Sequence, residues 1–96
     1  MFEWDPLKAA ANLAKHGVSF EEATTAFQDA RALDGPDIEH STSEARRLHL
    51  GLSMSGRLLV VAYTVRRYDD EQEAIRIISA RRASRKERRR YQTAQD

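Results

Sequence analysis

Seven of the ten side chains from Arg81 to Arg90 are Lys or Arg, and they directly follow the apolar run of residues 75–80. This density of cations at the end of one strand is typical of a phosphate-binding surface and favours a polyanionic partner. Arg66 and Arg81 end two apolar runs, where a guanidinium can hold a phosphate through two parallel hydrogen bonds. The alternative for both is a structural ion pair with an acid of residues 1–45.

The histidines are the candidates for proton transfer, because an imidazole can accept and donate protons near neutral pH. We place His16 first. It follows Lys15 at the predicted end of a helix, where both cations could instead complement the helix dipole. Lys15 could also neutralise a phosphate. His40 lies in a polar loop, and His49 lies opposite a leucine face, which allows a surface position. A His40/His49 metal pair would need carboxylate or water partners that the sequence cannot place.

Other basic residues near the C-terminus favour attraction of a ligand over catalysis. Arg82, Arg85 and Arg89 are predicted to form a solvated cationic surface, with Arg85 and Arg89 on one helix face at i, i+4. Tyr91 follows them, where a nucleic-acid base could stack on its ring. The alternative for Tyr91 is packing against the sheet.

The composition indicates one folded domain over residues 1–96, since this length supports one modest core. There is no cysteine, and no apolar run approaches the ~20 residues that cross a bilayer. The N-terminus lacks the pattern of a signal peptide, so we expect a cytoplasmic protein without membrane contact. Residues 1–45 carry three basic and nine acidic side chains, a net charge of −6, whereas residues 46–96 carry thirteen and six, a net charge of +7. A basic half suits a polyanion or an acidic protein.

The N-terminal half reads as a short strand followed by two helices. Asp5-Pro6 is a start signal for the first helix, along which four apolar residues recur at helical spacing, and Gly17 is its stop signal. Ser19 and Glu22 form an S-x-x-E capping box for a second helix ending near Phe27. Residues 28–45 are predicted to be an extended crossing with turns, including a possible capped turn at 41–44. The four apolar residues that recur along the first predicted helix are Leu7, Ala10, Ala11 and Ala14.

The C-terminal half reads as three strands and a helix. Leu48, Leu50 and Leu52 alternate with other residues, as in a half-buried strand. Leu58–Arg66 is apolar on both faces and is predicted to be the central strand. A third strand covers Ile75–Arg81, and strict alternation would put Arg81 on the face of Ser79 and Ile77, and Arg66 on the face of Thr64 and Ala62. Ser84 and Glu87 form a capping box for the last helix. We therefore predict an α+β fold, a small antiparallel sheet packed with two N-terminal helices and a C-terminal helix.

Five segments of the chain form a recognisable series: Phe2-x-Trp4-Asp5, Lys15-His16-Gly17-Val18-Ser19-Phe20-Glu21-Glu22-Ala23, Gly56-Arg57-Leu58-Leu59-Val60-Val61, Tyr63-Thr64-x-Arg66 and Ile75-Arg76-Ile77-Ile78-Ser79-Ala80-Arg81-Arg82-Ala83. In this order they resemble the BrnT toxins, and the similarity runs from Phe2 to Tyr91. The resemblance implies a RelE-like fold and a metal-independent endoribonuclease that cleaves RNA, inhibits translation and is neutralised by a BrnA-like antitoxin. It implies no cofactor, and DNA contact only through the antitoxin.

Cleaving RNA without a metal needs a base for the 2′-hydroxyl proton, an acid for the leaving 5′-oxygen and cations for the added phosphate charge. On this interpretation His16, Arg66 and Arg81 are the catalytic candidates, and the RNA-binding candidates are Lys15, Arg82, Arg85, Arg89 and Tyr91. We see no acidic triad that would clearly hold Mg²⁺, so we expect no metal.

One segment departs from the family pattern. The predicted loop of residues 67–73 is longer and more acidic than that pattern, so it could weaken cleavage or alter substrate choice.

The alternative function is a non-catalytic RNA- or protein-binding module that uses the same basic helix. A direct DNA regulator is a weaker alternative, because no helix-turn-helix spacing with a clear recognition helix is present.

Overall fold

A computed structural model describes residues 1–40, 45–69 and 71–95 of the chain. The described strands form one five-stranded sheet in the order β1-β5-β4-β3-β2, in which β1 is parallel to β5 and the other neighbours are antiparallel. The predicted α+β class is confirmed, and the sheet is mixed rather than purely antiparallel. The elements are β1 (Phe2–Glu3), α1 (Pro6–His16), α2 (Phe20–Thr25), a 3₁₀ turn (Ala26–Gln28), β2 (Leu33–Pro36), β3 (Arg47–Leu52), β4 (Leu58–Arg67), β5 (Glu73–Arg82) and α3 (Arg85–Ala94).

The helix ends follow the predicted start and stop signals. The Asp5 carboxylate accepts the Leu7 N–H at 2.8 Å and opens α1. Gly17 closes α1 at φ 69°, a left-handed conformation that a residue without Cβ adopts at little cost. The hydroxyl of Ser19 accepts the Glu22 N–H at 3.0 Å and opens α2, but only this half of the predicted capping box forms, because the Glu22 carboxylate accepts from Arg57 instead of the Ser19 N–H. These caps satisfy backbone groups that have no partner within the helix, so they fix where α1 and α2 begin.

Strand β2 was not predicted. It pairs with β3 at the edge of the sheet, with Leu33 opposite Leu50 and Pro36 opposite Arg47. A short edge strand tolerates Gly and Pro, because one side of its backbone needs no partner strand. Its apolar content is too low to show the alternation that identifies a strand. The possible capped turn at 41–44 lies outside the described residues.

One face of the sheet, the closed face, is covered by α1 and α2. Its core contains Val18, Phe20, Leu59, Val61 and Ile77, all of them fully buried or nearly so. Burial of each such side chain contributes about 1.5–3 kcal/mol to folding.

Helix α1 packs on the closed face through Ala9 and Asn12, not through its apolar stripe. The buried amide of Asn12 donates to the carbonyls of Val18 at 2.9 Å and Ala80 at 2.8 Å, and it accepts the Ala80 N–H at 3.0 Å. These three bonds fix the rotation of the helix. Leu7, the largest residue of the predicted stripe, is consequently 80% exposed.

Strand β5 contains a β-bulge at Ile78. Ala62 of β4 pairs with Ser79, whereas the next residue, Tyr63, pairs with Ile77. The extra residue breaks strict alternation, so Ile77 stays in the core of the closed face while Ser79 turns to the opposite face. The prediction that Arg81 shares a face with Ile77 is therefore wrong, because that prediction assumed an unbroken period of two.

We call the opposite side of the sheet the arginine face, because the register and side-chain contacts place Arg66, Arg76 and Arg81 on it. Helix α3 covers one end of this face, where a small cluster contains Leu50, Val60 and Ala83, with Tyr91 packed against it. The predicted capping box of α3 is confirmed: the Ser84 and Glu87 side chains and backbone N–H groups bond reciprocally. None of the described helices is long and apolar enough to cross a membrane.

Candidate active site

A groove of about 160 Å³ lies on the arginine face, beside the chain that follows β2. Apolar side chains of β3 and β4 form part of its lining, and β5 contributes Ser79 and Arg81. The remaining polar lining is ionisable and consists of Asp37, Glu39, His40 and Arg46. The groove therefore brings two carboxylates, an imidazole and two guanidinium groups together on a strand surface.

Arg81 is held rigidly at the junction of β5 and α3. Its guanidinium donates to both carboxylate oxygens of Glu87, at 2.7 and 2.8 Å, and to the carbonyl of Arg82 at 3.3 Å. The hydrogen bonds and charge of Arg81 lower the pKa of Glu87 to about 2, and the same pairing raises the pKa of Arg81. Arg81 does form the structural ion pair considered as its alternative, but the acid is the capping residue Glu87 of α3 and not one of residues 1–45.

The pairing with Glu87 leaves Arg81 with donors to spare. A guanidinium has five N–H groups, and the bonds to described residues use three of them. The other two N–H groups have no partner among the described residues, and Arg81 lines the groove. A preoriented guanidinium loses little conformational entropy on binding a phosphate, so this geometry suits Arg81 to stabilise a phosphate.

Arg66 lies on the same face as Arg81 but outside the groove. Arg81 lies opposite Val60 of β4, and Arg66 lies six residues further along that strand, a separation of about 20 Å. Arg66 has no hydrogen bond or ion pair to a described residue, and its side chain is exposed. The nearby Glu3 carboxylate has a lowered pKa, chiefly through a hydrogen bond from the Tyr68 hydroxyl and also through the charges of Arg76 and Arg66. Arg66 and Arg76 both act on the Glu3 carboxylate, so Arg66 belongs to a cationic surface that extends beyond the groove.

His40 and Asp37 form a pair at the edge of the groove. The Nδ1 atom of His40 lies 3.2 Å from each carboxylate oxygen of Asp37. The Asp37 side chain is 6% exposed, whereas that of His40 is 60% exposed. A buried acid thus holds one side of an accessible imidazole. Sequence reasoning missed this pair, because the strand that precedes Asp37 carries no recognisable pattern and the Asp-x-x-His spacing alone is common in loops.

His16 is not in the groove. It is the last residue of α1, which packs on the closed face, and it has no hydrogen bond or ion pair to a described residue. Lys15 beside it is exposed. The neighbouring Gly17 carbonyl accepts a hydrogen bond from Arg57 at 3.0 Å. The structure therefore does not bring His16 and Arg81 together, and the catalytic role of His16 stays a prediction.

His49 is buried, so the surface position considered for it is wrong. Its ring stacks on Phe27 with a centroid distance of 4.2 Å, and its two nitrogens contact the Asp34 carboxylate at 3.0 Å and the Ala26 carbonyl at 2.9 Å. The 3₁₀ turn can approach β3 closely because residue 51 is glycine. A Cβ atom at this position would lie 2.6 Å from the Ala26 carbonyl oxygen. With both nitrogens occupied on the closed face, His49 is not paired with His40. The described residues contain no cluster of three or more side chains that could hold a metal ion.

The basic helix divides into surface and packing residues. Arg82, Arg85 and Arg89 are exposed and form no ion pair with a described residue, which fits the predicted cationic surface. Tyr91 packs on the small apolar cluster under α3, and its hydroxyl donates to Asp29 at 2.6 Å. This geometry corresponds to the packing alternative for Tyr91, and base stacking on its ring stays a prediction.

Fold and groove together define a small α+β protein with a cationic sheet surface and ionisable groups in one groove. The family model of the ribonuclease toxin BrnT of type II toxin–antitoxin systems matches residues 4–87. The chain therefore belongs to the BrnT family of ribonuclease toxins.

A solved structure is also similar to this one. The 1.1 Å crystal structure of the Brucella abortus ribonuclease toxin BrnT aligns with a TM-score of 0.63 and 24% sequence identity, over 88% of this chain and 96% of that chain. At this identity the likeness supports the fold alone. Comparison with curated proteins gives no match.

Proposed function

We propose that this protein is an endoribonuclease toxin that cleaves RNA without a metal ion, inhibits translation and is neutralised by a BrnA-like antitoxin. The observation that carries the proposal is the groove on the arginine face, where a rigidly held Arg81 and an accessible histidine line the same cavity. Family membership supports a ribonuclease toxin with an antitoxin partner. The groove supports chemistry at phosphate by proton transfer and charge stabilisation.

Arg81 is proposed to stabilise the phosphate in the transition state. When the 2′-oxygen attacks, negative charge grows on the non-bridging phosphate oxygens, and donors already aimed at that position stabilise it without reorganising. Glu87 holds the guanidinium in place before RNA arrives. Arg66, about 20 Å away along the sheet, is proposed to bind a more distant phosphate of the same strand.

The exposed arginines of α3 are proposed to attract RNA to this groove. Arg82, Arg85 and Arg89 lie on the element that follows Arg81 directly, and their charge acts on any phosphate chain without reading its bases. Lys15 and His16 lie on α1, so their proposed contacts would require RNA to continue around the edge of the sheet. We propose a cytoplasmic location, where both RNA and an antitoxin are present, and DNA contact only through that antitoxin.

Cleavage in the presence of EDTA tests the mechanism. Purified protein is incubated with a defined 5′-labelled RNA in excess chelator, and the product ends are identified. We expect cleavage to persist and to leave a 2′,3′-cyclic phosphate or a 3′-phosphate, because the 2′-hydroxyl is the nucleophile. An RNA with 2′-deoxy substitutions is the matched control and should stay intact. Activity that disappears in EDTA and returns with Mg²⁺ would overturn the metal-independent mechanism.

A non-catalytic RNA- or protein-binding module is the second candidate. The exposed arginines of α3 favour it, because attraction of a polyanion needs no reacting groups. The same experiment separates the two functions. A protein that retards the labelled RNA on a gel and leaves it intact, with and without Mg²⁺, would be a binding module.

A further inference from the structure

We propose that His40, oriented by Asp37, is the general base that removes the 2′-hydroxyl proton. This inference rests on the proposed ribonuclease function and assigns the proton transfer to a residue other than His16. It follows from the position of His40 in the same groove as Arg81 and from its partner, an almost fully buried carboxylate.

The contact with Asp37 determines which nitrogen of His40 can accept a proton. Both carboxylate oxygens of Asp37 lie 3.2 Å from Nδ1, and a carboxylate only accepts hydrogen bonds. In the neutral ring, Nδ1 must therefore carry the hydrogen. The lone pair is left on Nε2, which has no hydrogen-bond partner among the described residues. An imidazole held in this tautomer is arranged to act as a base.

Asp37 itself is fixed by the backbone at the end of β2. Its N–H donates to the Arg46 carbonyl at 2.9 Å, and its own carbonyl accepts the His40 N–H at 3.3 Å. The loop therefore sets the distance between the acid and the imidazole. Asp37 touches His40 rather than a reacting atom, so it is a positioning residue. The carboxylate also stabilises the imidazolium that forms when the proton arrives.

The groups that face His40 in the groove have complementary charges. Asp37 and Glu39 supply carboxylates, and Arg46 and Arg81 supply guanidinium groups. A phosphate held by Arg81 would place its ribose 2′-hydroxyl within the same groove. Arg81 is already paired with Glu87, but it still offers guanidinium N–H groups beside the acids of the groove, so an entering phosphate meets a cationic donor there.

The step balances in atoms and electrons. Nε2 of His40 takes the 2′-hydroxyl proton as the O2′–P bond forms, and the P–O5′ bond breaks. The bond electrons leave on the 5′-oxygen, which takes a proton from solvent in the open groove. The imidazolium then returns its proton to solvent. No metal, oxidant or second substrate is required, and the products are a 2′,3′-cyclic phosphate and a 5′-hydroxyl.

The other two histidines are less suited to this role. His49 is buried on the closed face with both nitrogens engaged. His16 lies on α1 on that same side, and it has no described carboxylate partner to fix its tautomer. Of the three histidines of the chain, His40 alone combines access, an orienting acid and a position beside Arg81.

The central experiment compares single-turnover cleavage in EDTA by the parent protein, His40→Gln, His16→Gln and Ile38→Ala. We expect His40→Gln to lower the rate by about 10²-fold or more, the usual contribution of a general base. Ile38→Ala is the matched control for disturbance of the loop, because this side chain is 85% exposed and has no ionisable group. Thermal unfolding verifies that each variant is folded.

Two further measurements separate a base from a structural residue. Added imidazole should restore part of the activity of His40→Gly, because the site is accessible to a small molecule. Asp37→Asn should lower kcat more than it raises KM and should alter the pH–rate profile, since the amide no longer fixes the base. A substrate with sulfur as the 5′-leaving atom needs no acid, so it should leave the defect of His40→Gln unchanged.

Each outcome supports or overturns the inference. Full activity of folded His40→Gln in EDTA would overturn it while the proposed function stands. Loss in His16→Gln alone would transfer the role to His16. Rescue of His40→Gln by the sulfur substrate would make His40 an acid and overturn its role as a base. A parent protein that cleaves no RNA in EDTA would overturn the proposed function, and this inference with it.

Discussion

The two faces of the sheet are built from the same strands but treat polar groups in opposite ways. On the closed face, every hydrogen-bonding atom of the Asn12 amide has a backbone partner, and both nitrogens of His49 are engaged. On the arginine face, two N–H groups of Arg81 and the Nε2 atom of His40 have no hydrogen-bond partner among the described residues. The closed face is therefore suited to stability, and the arginine face retains polar groups for a ligand.

The bulge at Ile78 makes this division possible within one strand. Ile77 and Ala80 both belong to the core of the closed face, although they are three residues apart. Without the bulge, Ile77 and Ala80 could not both face the core: with Ile77 in the core, strict alternation would turn Ser79 and Arg81 together to the closed face, away from the groove. Packing on one face and chemistry on the other thus depend on the same backbone irregularity.

The comparison is tested most strongly by deleting a core side chain of the closed face. Phe20→Ala should lower the free energy of unfolding by about 3–5 kcal/mol, because it removes a fully buried aromatic ring and leaves a cavity. Urea unfolding followed by circular dichroism measures the loss. Leu7→Ala, at an exposed site on α1, is the control and should change stability by less than about 0.5 kcal/mol. A Phe20→Ala protein as stable as the parent would contradict the assignment of the core.

The reciprocal test is made on the arginine face. Arg81→Ala should lower the cleavage rate by about 10²-fold, or about 2.7 kcal/mol, if its guanidinium stabilises the transition state. Arg81→Lys should restore activity only in part, because an ammonium cannot supply the planar fork. Single-turnover kinetics at saturating protein measure both. Parent-like cleavage by a folded Arg81→Ala protein would place the reacting phosphate elsewhere.

Much of the local structure could be predicted from the sequence, because its causes are local. Asp5-Pro6, Gly17 and the Ser84/Glu87 box each specify a helix end through contacts within a few residues. The central strand β4 was recognised from its apolar run, which is buried on both faces. Such signals depend on neighbours in sequence, so they survive without knowledge of the tertiary fold.

The features that could not be predicted depend on distant contacts. The orientation of α1 is set by Asn12 bonding to Ala80, 68 residues away, so the exposed apolar stripe could not be anticipated. Strand β2 is recognisable only once β3 is placed beside it. For the candidate site, the cations were visible in the composition, whereas the groove and the orientation of His40 required the fold.

Acid should lower the free energy of unfolding through one carboxylate on each side of the sheet, Glu22 and Glu87. Arg57 lowers the pKa of Glu22 to about 2, chiefly by its hydrogen bonds, and Arg81 does the same for Glu87, against 4.5 for an unperturbed Glu. A lowered folded-state pKa stabilises the protein fully above pH 4.5, and this contribution is lost as the pH falls towards 2.

Unfolding titrations from pH 6 to pH 2 measure this contribution. Glu87→Gln and Glu22→Gln should each remove about 1–2 kcal/mol of stability at pH 6 and flatten the decline below pH 4.5. Glu71→Gln, at an exposed position, is the control and should retain the parent slope. A decline in Glu87→Gln as steep as in the parent would show that this carboxylate is not responsible.

The smallest effects are expected for single arginines of α3, which the comparison assigns to attraction rather than catalysis. Arg85→Ala and Arg89→Ala should each weaken RNA binding a few-fold at moderate salt and reduce the slope of log K against log [salt] by about one, while the cleavage rate at saturation is unchanged. Lys8→Ala, which removes an equal charge from an exposed position on α1, is the control and should leave the slope unchanged.

An acidic or amphipathic antitoxin segment that covers the same surface of α3 would neutralise its positive field and block the RNA path together. Antitoxin titrated into a complex of labelled RNA with Arg81→Ala should therefore displace the RNA, and both arginine variants should weaken both ligands. A ternary complex with unchanged RNA affinity would show that the antitoxin binds away from α3 and acts from a distance.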